Sequence, residues 1–178
     1  MPPSCDPQHA PAGDVGAALM MIDSRLQGIY DAKAESGPEQ RAVIDRFVAS
    51  LGREEAEDVR DGTCTLIYMF MTWLRRAYED HDKDVIEVVV PNLVATMRRM
   101  PKSVRPEAIP TMAGLLVAAA TGLSPSLWRN QYGSWSDHEL TPLDATALLL
   151  AEHINRITDD SDFATRMISD ALTGAGAD

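Results

Sequence analysis

The densest run of metal-ligating side chains is Glu79-Asp80-His81-Asp82-Lys83-Asp84. Asp80, Asp82 and Asp84 alternate like the oxygen ligands that open a calcium loop. The glycine position of such a loop is taken by Val85, and its closing twelfth position is Pro91 in place of a glutamate. The run therefore reads as a solvated helix junction, and His81 beside two carboxylates does not define a metal site. His138 and His153 are fifteen residues apart, without the close pairing of zinc ligands. His153 follows Glu152 on an apolar helix and reads as a hydrogen-bonded helix residue. Glu57 and Asp61 lie one turn apart near a helix start, where carboxylates suit the helix dipole. Cys5 and Cys64 make no disulfide framework, and Cys64 reads as a core thiol. No phosphate-cradling glycine loop, nucleophile elbow or Cys-His pair is present in the sequence. No catalytic residue, metal ligand or cofactor is assigned, and an enzyme built from scattered carboxylates stands as a second alternative.

The elements that position these groups are all helical by spacing. A first helix is expected from Asp14 to Glu35, with Leu19, Ile22, Leu26 and Ile29 or Tyr30 inward. A second runs from Pro38 to Leu51, with Val43, Phe47, Val48 and Leu51 inward and Gly52 as its stop. A third starts in the acidic group at Glu54 and reaches Asp80. Its centre, Cys64 to Leu74, is apolar on every side, as in the middle of a bundle or a subunit interface. VIEVVV at Val85–Val90 is β-branched, yet a lone strand has no partner. Ile86, Val89, Leu93 and Met97 fit a helix restarted at Pro91. Further helices follow at Arg105–Thr121, Ser124–Tyr132, Thr141–Thr158 and from Asp159 or Ser161 to Leu172. The fold class is all-α, a single compact bundle of about seven to eight helices over residues 14–173. Residues 1–13, with four prolines, and 174–178 are expected to be flexible ends.

The 178 residues carry 16 basic and 27 acidic side chains, a net charge of -11. That charge repels nucleic acid and anionic lipid taken over the whole molecule. It is unevenly spread: residues 1–87 carry -8, residues 88–136 carry +4 and residues 137–178 carry -7. In the basic middle, Arg98, Arg99, Lys102, Arg105 and Arg129 face Glu107 alone. The first fourteen residues have neither the basic nor the apolar region of a signal peptide, and no stretch suits a membrane span. A cytoplasmic protein without membrane contact is expected.

Within the basic stretch lies LLVAAATGLSPSLWRNQYG, Leu115 to Gly133. This segment resembles the helix-turn-helix family of DNA-binding proteins over about twenty residues. Ala118 is small where two helices approach, Gly122 suits a left-handed turn, and Leu123 plugs the space behind it. Ser124 is a helix cap and Pro125 a first helical residue. The resemblance implies that Ser126, Arg129 and Asn130 enter the major groove, with Arg98, Arg99, Lys102 and Arg105 on phosphates. The match departs at Gln131, where the family's second helix carries an inward apolar residue. Trp128, Tyr132 and Trp135 share one helical face by spacing.

The expected function is a non-enzymatic regulatory or accessory protein that acts through protein contacts. Its expected surface comprises Arg98, Arg99, Trp128, Arg129, Tyr132 and Trp135. A DNA-binding regulator using Ser126, Arg129, Asn130, Lys102 and Arg105 is the alternative. A protein partner ranks ahead of nucleic acid, and self-association through the Leu66–Leu74 helix is a second route to a complex.

Overall fold

The computed structural model describes residues 12–31, 53–133 and 135–175. Among them are seven α-helices: α1 (Ala12–Asp31), α2 (Arg53–Glu79), α3 (Val85–Arg98), α4 (Ile109–Ala120), α5 (Pro125–Asn130), α6 (Asp137–Thr158) and α7 (Phe163–Ala175). A short 3-10 turn, Pro106–Ala108, leads into α4. The described residues contain no strand. The helix expected at Pro38–Leu51 lies outside the described residues. Helix α1 takes in positions 12 and 13, and α7 takes in 174 and 175, so both helices run into stretches expected to be flexible.

The centre of the bundle is α2, which packs against all six other described helices. Its Cys64, Leu66, Ile67, Phe70, Met71 and Leu74 have no exposed surface. Each large apolar side chain sequestered this way contributes about 1.5–3 kcal/mol. This is the first of the two expectations for an all-round apolar helix: the Leu66–Leu74 stretch lies in the middle of the bundle. Tyr68, Met69 and Trp73 of the same stretch are partly buried and pack against that core. Buried Thr65 is accommodated because its hydroxyl donates to the Asp61 carbonyl one turn back.

Helix α3 forms where the β-branched run VIEVVV competed, because Asp84 caps it. Its carboxylate accepts the Ile86 N–H at 2.8 Å, and Val85, Val89, Val90, Leu93 and Met97 face inward. The helix runs unbroken through Pro91, which stands on its exposed side. Helix α6 begins at Asp137, four residues before the expected start, and contains Pro142. The reason is a capping box in which Glu139 reaches back to Ser136.

Asn155 locks three elements together. Its amide donates to Tyr30 Oη at 3.1 Å and to the Ser161 carbonyl at 2.9 Å, and its carbonyl accepts the Ala164 N–H at 2.8 Å. Beside it, the helix α6 stops with Asp159 at φ 53°, in the left-handed region.

Candidate functional site

The α4–α5 turn is built as its residue types dictate. Thr121 ends α4, and Gly122 takes φ +88°. The Gly122 N–H donates to the Ala119 carbonyl at 3.1 Å and the Leu123 N–H to the Ala118 carbonyl at 2.9 Å. These two bonds form a Schellman motif, in which a left-handed residue closes the last helical turn. The next helix opens with Ser124, whose hydroxyl accepts the Leu127 N–H at 3.3 Å, and with Pro125.

The faces of α5 differ from the helix-turn-helix expectation. Ser126, placed at bases by the resemblance, is 5% exposed and faces inward. Leu127 and Gln131 stand in solvent instead, on one side of the short helix. Gln131 was the departure in the sequence match, and the rotation of α5 explains it: that position needs no apolar side chain here. Leu123, expected behind the turn, is 36% exposed. Close approach falls at Gly114, one turn before Ala118, where the Trp128 ring lies so near that an added Cβ would meet it at 2.7 Å.

Arg129 is engaged within the chain. Its Nη2 donates to Glu139 Oε1 at 2.8 Å, and the two side chains are 11% and 15% exposed. The guanidinium also stacks over the Trp135 ring, 5.2 Å from its centroid. Glu139 Oε1 in turn accepts from the Ser136 hydroxyl at 2.8 Å. Of the three side chains expected to read bases, Asn130 alone is exposed. The expected aromatic stripe is corrected too. Helix α5 ends at Asn130, and the chain bends at Gly133 with φ +103°. Trp135 therefore returns beneath Arg129 from outside the helix, while Tyr132, 66% exposed, tilts against Trp128 at 5.2 Å.

The expected basic aromatic surface separates into two places. Arg98 ends α3, Arg99 caps it, and Lys102 and Arg105 lie on the bend that follows. All four are exposed, and none makes a side-chain ion pair or hydrogen bond among the described residues. Met97 and Val104, with no exposed surface, anchor this bend in the core. It leads into the start of α4, whereas α5 hangs from the other end of that helix. The twelve residues of α4 set the two ends about 16 Å apart.

Two further titratable groups are set apart by their surroundings. His153, 5% exposed, has its Nε2 at 3.1 Å from Tyr78 Oη and its Nδ1 at 3.1 Å from Arg156 Nη2. Arginine only donates, so Nδ1 accepts and the proton sits on Nε2, facing the tyrosine. Burial first, then the Arg156 charge, hold this imidazole below its ordinary range. Asp144 is pushed the other way by burial, against the pull of Arg25 at 3.9 Å and a Thr63 hydrogen bond. Among the described residues no three His, Cys, Asp or Glu side chains converge as metal ligands. No described helix is long and apolar enough to cross a membrane.

Sequence reasoning placed Leu123 behind the turn rather than on the surface, and missed Leu127 and Glu139 as members of this site. For Glu139 a signal existed, the Ser136-x-x-Glu139 spacing of a capping box. Comparison with family models, curated proteins and solved structures finds no match to this chain.

Proposed function

We propose that this chain is a non-enzymatic accessory or regulatory protein of the cytoplasm that docks, through the corner of α4 and α5, into an apolar groove of a partner protein. The observation that supports this most is the exposure of Leu123, Leu127 and Tyr132, at 36%, 39% and 66%, on one preformed corner. Single exposed apolar residues are ordinary, but here three fall within ten positions around one turn and the short helix after it. Beneath them, Trp128 sits against Gly114, and Arg129 is clamped between Glu139 and Trp135. A contact surface whose frame is already ordered loses less entropy on binding, so more of the burial appears as affinity. Tyr132 and Leu127 are the anchors, and the polar Asn130, Gln131 and Thr121 around them supply the rim.

The test is photo-crosslinking in cells with p-benzoylphenylalanine at position 132 and, as a control, at exposed position 157 on α6. The expected result is an adduct with one other protein from position 132, lost with Leu127→Asp. An adduct with nucleic acid, an adduct with a second copy of the chain, or equal labelling from both positions overturns the proposal.

A further inference from the structure

We infer that the outer face of α3, together with the cations that follow it, is a second docking surface, and that its occupant is a short acidic amphipathic segment of a partner protein. It goes beyond the α4–α5 corner and rests on different residues. Val88, Pro91, Asn92, Ala95, Arg98 and Arg99 are all exposed and recur at helical spacing on one side of α3. The first part of that face carries small apolar residues, Val88, Pro91 and Ala95, with the polar Asn92 beside them, and Val88 is 42% exposed. The last part is purely cationic and continues into Lys102 and Arg105. From Val88 to Arg99 the face is twelve residues long, about 16 Å between its end Cα atoms.

Charge complementarity selects the occupant. Four cations lie within eight residues, exposed and without an ion pair among the described residues, on a chain of net charge -11. Such a patch attracts anions, while the rest of the surface turns extended ones away. Duplex DNA along this face presents one charge per about 1.7 Å, roughly ten over 16 Å, against four cations. It then continues over acidic protein. A segment with three or four carboxylates matches the cations one for one and ends where they end. Its apolar residues, at helical spacing, lie over Val88, Pro91 and Ala95, whose small side chains let a second backbone come close.

The experiment is a 15N NMR titration of the full chain with two synthetic twelve-residue peptides. One carries three leucines at helical spacing followed by four glutamates, and in the other glutamines replace the glutamates. Twenty-base-pair duplex DNA is titrated in parallel. The glutamate peptide is expected to shift amides between 88 and 105, and the glutamine peptide is not. Binding is expected to weaken about tenfold with Arg98→Glu/Arg99→Glu and with Lys102→Glu/Arg105→Glu. The same charge change at Arg76→Glu, exposed on α2, is expected to leave it within about twofold. The inference is overturned by silence at 88–105, by equal response to both peptides, or by tighter binding of DNA through the same residues. Shifts confined to 121–133 also overturn it, and leave the α4–α5 proposal standing.

Discussion

Arg129 and Glu139 join α5 to the start of α6, and cutting that link is the sharpest test of how the corner is held. Their bond is 2.8 Å long, and the side chains are 11% and 15% exposed. A hydrogen bond between charged groups at such a site is worth about 1.5–3 kcal/mol. Truncation costs more than the bond, because the guanidinium left behind stays largely out of water. Glu139→Ala, which also opens the capping box, is expected to cost about 3 kcal/mol. Arg129→Met, which keeps the stem over Trp135, is expected to cost about 2 kcal/mol. The double substitution removes both charges and is expected to cost no more than Glu139→Ala alone, about 3 kcal/mol. The coupling energy from the cycle is then about 2 kcal/mol. Glu139→Gln keeps an acceptor for Arg129 and Ser136 and loses only the charge, for about 1 kcal/mol. Urea unfolding of the four variants measures these values, and each kcal/mol lowers Tm by about 2–4 °C in a chain of this size. Additive single effects, with coupling below about 0.5 kcal/mol, refute the clamp.

Three other outcomes follow from named contacts. Gly114→Ala places a methyl group 2.7 Å from Trp128 Cζ2, so the ring must swing out. The packing loss of about 1–3 kcal/mol outweighs a helix gain of about 0.5–1 kcal/mol, and Trp emission shifts to the red; unchanged emission contradicts the contact. For His153, the folded pKa lies below its unfolded value near 6.5, so the unfolded chain takes up the proton first. Stability therefore falls as pH drops through 6.5 toward the lower folded pKa, and His153→Gln flattens this part of the profile; an unchanged profile contradicts the assignment. Asp159→Gly relieves the left-handed backbone at φ 53° and raises stability by about 0.5 kcal/mol by urea unfolding, whereas a comparable loss shows that the aspartate side chain matters there.

The helical architecture was legible because apolar spacing reports burial directly. Val89, Leu93 and Met97 recur every four residues and all turn inward, and the β-branched run beside them is helix. The all-round apolar centre of α2 marked the axis of the bundle. The turn chemistry at Gly122, Ser124 and Pro125 was equally local, and each residue does what its type suggests. The rotation of α5 about its axis was not legible. It is set by the Trp128 ring lying on Gly114 and by Arg129 reaching Glu139 ten residues on, across a bend. Neither pairing has a spacing that a helix face predicts. The same holds for His153 and Tyr78, brought together from 75 residues apart by the packing of α2 and α6. Gln131 was the one local hint, a polar residue where the helix-turn-helix pattern wants an apolar one. Charge segregation along the chain survived in part: the cations at 98–105 stay exposed, while Arg129 is spent on an internal pair.

The central claim is that Leu123, Leu127 and Tyr132 enter a partner's groove. Once crosslinking has identified that partner, isothermal titration of the purified pair measures the contribution of the corner. With Leu127→Asp the account predicts at least about a hundredfold loss of affinity, some 2.7 kcal/mol, with the far-UV spectrum unchanged. An affinity within about twofold of the natural chain contradicts it.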